Sequence, residues 1–450
     1  MELPALPELA MRQVLFVFKV EMSKILVASV PLSGHVNPAV ALVKLLISRG
    51  HEVCWYSGKH YQNTIESSGA KFYPFIKARD FSDSTLAKEF PDLPYGSLFK
   101  HASYYIKHVF YDNMAGQYAD LSEILKEFPA DVVVTDEWFT GSIPLAEKKV
   151  IPWVCYCNSP LFYYTDEIPF PGAGLLPDST HFGRNRNRIV NGMVTKIIFA
   201  GLQKYINRLR KQVGLLPMQH FFLINNVFIA DFFIKFNTRA FEFKWKELPQ
   251  SIRFVGPMLP AHSNVENFKW EALLTKGKPV IFITQGSVNN TDFEHLIIPS
   301  LKALKELDAI IIVATGSTTS ELEKEFGSEN VIIEKYIPYE YIMPYADIVI
   351  TNGGFGGVIT ALWHGVPLIV AGETEDKPEI AIRITYCKAG IDLGTGHPKP
   401  NRIRKAVEKI MSDKVYKDNA MRISEDFKTH DAALETALLI EEILTTSEVI

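Results

Sequence analysis

Three stretches of this 450-residue chain hold groups whose type and spacing could do chemistry. The densest is Asn352-Gly353-Gly354-Phe355-Gly356-Gly357, directly after the apolar run Asp347–Thr351. Glycines let backbone amides come close to a ligand. Where such a loop opens a helix, those amides and the helix dipole form a site for an anion such as a diphosphate. A plain strand-to-helix turn needs one or two glycines, and this loop has four in five positions. The spacing is neither G-x-G-x-x-G nor G-x-x-x-x-G-K-[ST], which argues against a hydride-transfer dinucleotide site and a P-loop. In the second stretch, Ser33-Gly34-His35-Val36-Asn37-Pro38 follows the run Lys24–Val30. A neutral imidazole there accepts a proton near pH 7. The third is Asp136, at the end of Asp131–Thr135. A carboxylate so placed could hold the second ring N–H of His35 and stabilise the imidazolium that forms. Spacing alone leaves their contact open.

The surrounding pattern is strand, loop, helix, repeated from Met22 onward. Lys24–Val30 reads as a buried strand and Pro31–Val36 as a loop. Asn37 is placed to cap a helix with Pro38 at its first position, and Ala39–Leu46 carries the apolar stripe. Gly50 closes that helix ahead of the strand Glu52–Tyr56. Ile151–Cys155 continues the series. From 158 to 250 the periodicity blurs and aromatics crowd in; Pro257, Pro260 and residues 261–264 read as an interdomain linker. The rhythm restarts with Val280–Thr284, a helix from Asp292, and strands at Ala309–Ala314, Val331–Glu334, Asp347–Thr351 and Val366–Ala371. A helix is expected from about Val358, and others at Pro400–Ser412 and Asp431–Leu444. The fold class is α/β: two doubly wound parallel-sheet domains of similar size facing each other, with ligands beyond the carboxyl ends of the strands.

Composition excludes several alternatives. Lys and Arg number 47 against 51 Asp and Glu, so the basic excess of a nucleic-acid binder is missing. Twenty-seven glycines and 26 prolines are ordinary usage, not that of a fibrous or disordered chain. Four cysteines do not make a disulfide framework, and Cys155-x-Cys157 lacks the partners of a zinc site. Free thiols suit a reducing, cytoplasmic compartment. The run Val14–Phe18 is far shorter than the ~18 residues that span a bilayer. Residues 1–21 therefore read as an N-terminal extension ahead of Met22, with a weak membrane-surface anchor as the rival reading.

Taken together, these residues resemble the GT-B nucleotide-sugar glycosyltransferases of family 1, in particular bacterial macrolide and natural-product enzymes. The likeness runs from Lys24 to about Leu444. Ser33–Pro38 looks like that family's catalytic-histidine loop, and Val134-Thr135-Asp136 like the strand end carrying its partner aspartate. Tyr336-Ile337-Pro338 through Asp376-Lys377 is similar to the donor-binding signature. The chain also departs from the pattern. Tyr336 stands where the family usually stacks a Trp on the base, Asn352 and Gly357 replace a His and a Ser, Thr360 replaces the ribose-holding Glu, and Asp376-Lys377 replaces an acidic-Gln pair at the sugar.

The resemblance implies an acceptor-binding domain over 22–256 and a donor-binding domain over 257–428. Residues 429–450 would form a C-terminal helix that packs back on the first domain. It implies inverting, metal-independent transfer of a hexose from a nucleotide sugar, UDP-glucose by default, with no other cofactor; the chain contains no D-x-D pair. His35 and Asp136 would be catalytic. Gly286, Ser287, Tyr336, Ile337, Asn352, Gly353, Gly354, Phe355, Gly356, Gly357, Thr360, Asp376 and Lys377 would bind the donor. Phe81, Phe162 and Tyr163 are candidates to line a pocket for a hydrophobic small-molecule acceptor, although aromatics of this kind also fill cores. Arg184, Arg186 and Arg188 read as a solvated loop. No nucleic-acid partner and no stable membrane insertion is expected, and the protein should be a monomer or weak homodimer. Two other readings fit the same residues: a membrane-associated transferase acting on a lipid acceptor, and a non-catalytic sugar-nucleotide-binding partner.

Overall fold

Apolar runs assemble into two parallel sheets whose inner strands are buried along nearly their whole length. The computed structural model describes residues 22–94, 98–259, 277–286, 292–317 and 319–447. The N-terminal extension 1–21, the linker residues 260–264 and Ser287 lie outside them. The first sheet contains β1 (Lys24–Ala28), β2 (Glu52–Ser57), β3 (Lys71–Pro74), β4 (Val132–Asp136), β5 (Trp153–Cys157), β6 (Phe232–Lys235) and β7 (Ile252–Phe254), ordered β3-β2-β1-β4-β5-β6-β7. The second contains β8 (Val280–Thr284), β9 (Ile310–Ala314), β10 (Val331–Glu334), β11 (Ile348–Thr351), β12 (Leu368–Val370) and β13 (Gly390–Asp392), ordered β10-β9-β8-β11-β12-β13.

Alternation along the strands sorts side chains to the two faces of each sheet. Ile25 and Val27 pack with one cluster, while Leu26 and Ala28 pack with the other. Ile281 and Ile283 divide from Val280 and Phe282 in the same way. Strand order reverses between β1 and β4 in the first sheet and between β8 and β11 in the second. A doubly wound sheet opens a crevice at that reversal, because successive helices leave it to opposite faces. His35 and Asp136 follow β1 and end β4, and Gly286 and the glycine loop follow β8 and β11. Each half therefore brings its candidate chemistry to its own switch point.

Helix starts are where the structure corrects the sequence reading. Helix α1 spans Ser33–Ser48, so His35 sits in a first helical turn rather than in a loop, and Pro38 lies inside the helix. No local side chain caps it. Instead Asp83, from a distant loop, accepts from the Ser33 amide at 2.9 Å and the Ser33 hydroxyl at 3.1 Å. Pro38 has no N–H for the Gly34 carbonyl four residues back, and the Asn158 side-chain amide donates to that oxygen at 3.2 Å. The arginine stretch expected as a solvated loop is instead helix α2 (His181–Met193), capped by the Thr180 hydroxyl accepting from the Gly183 amide. Helix α3 (Phe355–Trp363) starts three residues before Val358, with Gly354 as its N-cap, so Gly356 and Gly357 are helical. Helix α4 (Lys377–Cys387) follows the Asp376-Lys377 turn. The helix expected from Asp292 forms only over Ile297–Leu304. Pro400–Ser412 is helix α5, as its pattern predicts, and an unanticipated helix α6 occupies Val415–Phe427.

The chain ties the halves together at both ends of the second sheet. Phe241, just after β6, packs in the second half's core beside Ala420, Ile423 and Phe427 of α6. Helix α7 (Ala432–Ser447) then returns to the first half, where Ala437, Ile440 and Ile443 join Val36, Leu42 and Leu46 of α1. Glu441 fixes the return by accepting from Arg49 Nε at 2.6 Å and Nη2 at 2.7 Å. None of the helices in the described residues is long and apolar enough to cross a membrane.

Candidate active site

The two switch points face each other across a cleft of about 610 Å³, lined from one side by His35, Asp136 and Glu137 and from the other by Gly286, Asn352 and Gly354 to Gly357. Asp136, 2% exposed, accepts from three donors. Its Oδ2 takes the Val30 amide at 2.7 Å, while Oδ1 takes the Trp138 amide at 2.9 Å and His35 Nδ1 at 2.9 Å. A carboxylate only accepts, so Nδ1 carries the proton and Nε2 of a neutral His35 keeps a free lone pair. The side chain of His35 is 20% exposed. Burial alone would lower its pKa, but the charge and hydrogen bond of Asp136, with Glu137 and Asp83 nearby, outweigh that and raise it above the ordinary 6.5.

On the facing side, a first helical turn has amides with no partner inside the helix. At the start of α3 these belong to Phe355, Gly356 and Gly357, residues that line the cleft. The four glycines do different things. Gly353 is at φ 88°, and a Cβ there would come within 2.5 Å of Val370, so its backbone turn admits no side chain. It makes the turn without lining the cleft. A Cβ on Gly357 would press on Tyr339 at 3.0 Å, whereas one on Gly356 would meet nothing within 4 Å. Asn352 commits one amide hydrogen to the Gln285 carbonyl and so bridges the β8 and β11 loops. The Thr360 hydroxyl donates to the Gly356 carbonyl at 2.8 Å, one turn earlier on the same helix.

Other expected donor-site residues divide. Asp376 and Lys377 line the cleft, held by a turn in which Glu375 adopts φ 58°, a region that non-glycine residues avoid. Burial pushes the Asp376 carboxyl up to about 6 despite the adjacent Lys377. Ile337 is a core residue, 1% exposed and packed with Ile342 and Met343. Its neighbour Tyr336 points outward, 68% exposed, and does not line the cleft. The cleft-lining aromatic of that segment is Tyr339, whose hydroxyl lies 3.1 Å from Thr284 Oγ1. Of the acceptor candidates, Phe162 lines the cleft beside Trp138. Phe81 does not; it is 3% exposed and packs edge-on against Phe90 in the core. Tyr163 lies outside the lining too, packed near Phe228 with its carbonyl bonded to Trp245.

Sequence reasoning passes over Glu137 beside Asp136, although adjacency to a strand-end aspartate is an available signal. Glu137 accepts from Ser159 Oγ at 2.5 Å, and burial raises its pKa from 4.5 to about 7. A carboxyl whose folded pKa is raised favours folding at low pH, and that contribution is lost as pH rises through about 7. Glu137→Gln should therefore gain melting temperature relative to the parent protein on going from pH 5 to pH 8. An unchanged difference between the two pH values would contradict this.

Known proteins are similar to this chain in sequence and in fold. Residues 299–443 match the family of the erythromycin biosynthesis protein CIII-like C-terminal domain. The 4'-demethylrebeccamycin synthase of Lentzea aerocolonigenes is 34% identical over 424 residues, covering 94% of this chain and 100% of that protein. UDP-glycosyltransferase 2 of Phaeomoniella chlamydospora is 31% identical, covering 93% and 95%. The chain belongs to the family 1 nucleotide-sugar glycosyltransferases. Its fold is GT-B: the solved structure of the kitacinnamycin glycosyltransferase superposes with a TM-score of 0.74 at 20% identity, covering 94% of this glycosyltransferase and 100% of that chain. The calicheamicin glycosyltransferase CalG4 gives 0.70 at 20%, covering 95% and 99%. Likeness at that identity speaks for the architecture of this glycosyltransferase alone.

Proposed function

We propose that this glycosyltransferase moves a hexose from UDP-glucose to a hydroxyl of a flat, hydrophobic small molecule, with inversion and without a metal ion. His35 Nε2 takes the proton of the acceptor hydroxyl, whose oxygen attacks the anomeric carbon. The bond from that carbon to the diphosphate oxygen breaks, and UDP leaves. Asp136 holds the imidazole and stabilises its charged form. Charge growing on the leaving diphosphate falls to the first-turn amides of α3, which are fixed before the reaction and reorganise little during it. One observation carries the reading: the lone pair of an aspartate-held imidazole and a row of helix N-terminal amides share a single cleft.

The acceptor reading rests on what lines the first half of the cleft, where Phe110, Trp138, Phe162, Phe170 and Phe199 dominate. Phe110 and Trp138 stack at 4.8 Å between ring centroids. That surface suits a flat apolar ring system. Relatives agree in kind: one is the 4'-demethylrebeccamycin synthase named above, and two more, 27% identical to this chain, are UDP-glucosyltransferases of Starmerella bombicola and Beauveria bassiana.

A thermal-shift panel of UDP-, dTDP- and GDP-sugars tests the donor. A bound nucleotide at ~100 times its dissociation constant should stabilise the fold by about 2.7 kcal/mol. UDP-glucose is expected to give the largest rise in melting temperature. A shift with dTDP-sugars only would replace the donor, and no shift with any nucleotide would remove the reading.

A further inference from the structure

The cleft contains a second imidazole that the proposed reaction does not use. His101 lies on a short helix (Leu98–Tyr104), 8% exposed, and its residue lines the cleft. Its ring stacks on Tyr105 at 5.6 Å between centroids. Nδ1 is 3.0 Å from the carbonyl oxygen of Pro94. A carbonyl can only accept, so Nδ1 bears the hydrogen, and Nε2 of the neutral ring is left as a bare acceptor. Among the described residues Nε2 is buried and finds no hydrogen-bond partner.

A buried acceptor with no hydrogen bond is costly, because its lost hydration is not replaced. Tyr105, whose ring stacks on His101, makes no hydrogen bond to it, and among the described residues no other group donates to Nε2. The missing group is therefore an O–H or N–H brought in by whatever fills the cleft. We propose that His101 is a specificity-determining residue for the acceptor, and that the acceptor carries two hydrogen-donating groups: one that reacts at His35 and a second that docks on His101 Nε2. This deepens the function proposed above and rests on it for the first of the two groups. The acceptor class narrows from any greasy alcohol to a polycyclic aromatic with donors at two separate edges. Masking the second donor as a methyl ether leaves Nε2 unpaired and also adds bulk against it, so binding should fall.

The test uses aromatic diols of two, three and four fused rings, each paired with its monomethyl ether. Dissociation constants are read by quenching of intrinsic tryptophan fluorescence, since Trp138 lines the cleft. In the parent protein at least one diol should bind about tenfold more tightly than its ether. His101→Phe, which keeps a ring against Tyr105 but removes the acceptor, should bring that ratio to near one while UDP binding is unchanged. His101→Gln keeps a donor for Pro94 and an acceptor for the ligand, so it should retain most of the preference; it also covers the case in which the phenylalanine variant fails to fold. Equal binding of every pair by the parent protein, or a preference that survives His101→Phe, would overturn the proposal. If the preference depends on His101 yet no sugar is transferred to any diol, the transferase reading fails and this assignment stands. Transfer without a His101-dependent preference sinks the assignment and leaves the transferase reading in place.

Discussion

His35→Ala should lower kcat by about 10²–10⁴-fold, the range expected when a positioned general base is removed. The affinity for UDP should change little, because His35 belongs to the first half and the amide row to the second. Asp136→Asn provides the pH signature. The His35 pKa stands above its ordinary value because Asp136 outweighs burial, and the reactive form is the neutral ring. Activity of the parent enzyme should therefore rise with pH along a limb centred above 6.5. Removing the carboxylate should move that limb to lower pH and also lower the plateau, since an amide in place of Asp136 no longer imposes the Nδ1–H tautomer. A kcat/KM profile that keeps its acid limb in place would separate Asp136 from His35. Retention of most turnover by His35→Ala would remove the base altogether.

Arg383→Ala should be the most destabilising single change among those that touch no substrate. Arg383 of α4 is 1% exposed on its side chain, and it reaches across to the first half of the chain. It donates to Glu242 at 2.5 Å, to Glu379 at 2.9 Å and to the Leu161 carbonyl at 2.9 Å, and it lies over the Phe243 ring at 4.3 Å. Glu242 in turn accepts from the Leu161 amide at 3.0 Å, and Glu379 from the Gly172 amide at 2.6 Å. Burial would tend to lower the guanidinium pKa, but the two carboxylates overcome it and hold the charge. Truncation leaves two buried carboxylates without their cation, a loss of roughly 3–5 kcal/mol. Since Gly172 and Glu379 both line the cleft, the variant should also weaken nucleotide stabilisation. Adding Glu242→Gln and Glu379→Gln should recover part of the loss. An unfolding free energy from urea titration within about 1 kcal/mol of the parent protein's would show that the network contributes little.

Sheets are easier to read from sequence than helix starts, and the reason is physical. β1, β4, β8, β9 and β11 are buried on both faces and so are written as unbroken apolar runs. The short strands β3, β7 and β13 have at most one buried residue each and leave little pattern. Helix starts depend on groups far away in sequence. α1 begins at Ser33 because Asp83 is delivered to its amides, and it tolerates Pro38 because Asn158 meets the freed carbonyl. Neither partner is visible in a local window.

The same distinction divides the site. His35, Asp136 and the glycine loop are legible because strand ends and helix N-termini concentrate chemistry in this kind of sheet. Which aromatics reach the cleft is not, since Phe81, Phe162 and Tyr163 look alike in sequence and differ only in where the intervening loops carry them. Tyr336 and Tyr339 show this within four residues: the first is turned to solvent and the second lines the cleft. The buried network of Arg383, Glu242 and Glu379 draws on both halves, and only its Glu379–Arg383 pair, four residues apart on one helix, lies within a local window.

The proposed mechanism stands or falls on where a diphosphate sits. A crystal structure of the protein with UDP should place the β-phosphate within hydrogen-bond distance of the amides of residues 355–357, with His35 Nε2 facing the space where the sugar would follow. Phosphates bound away from α3, or on a side of it that His35 does not face, would contradict it.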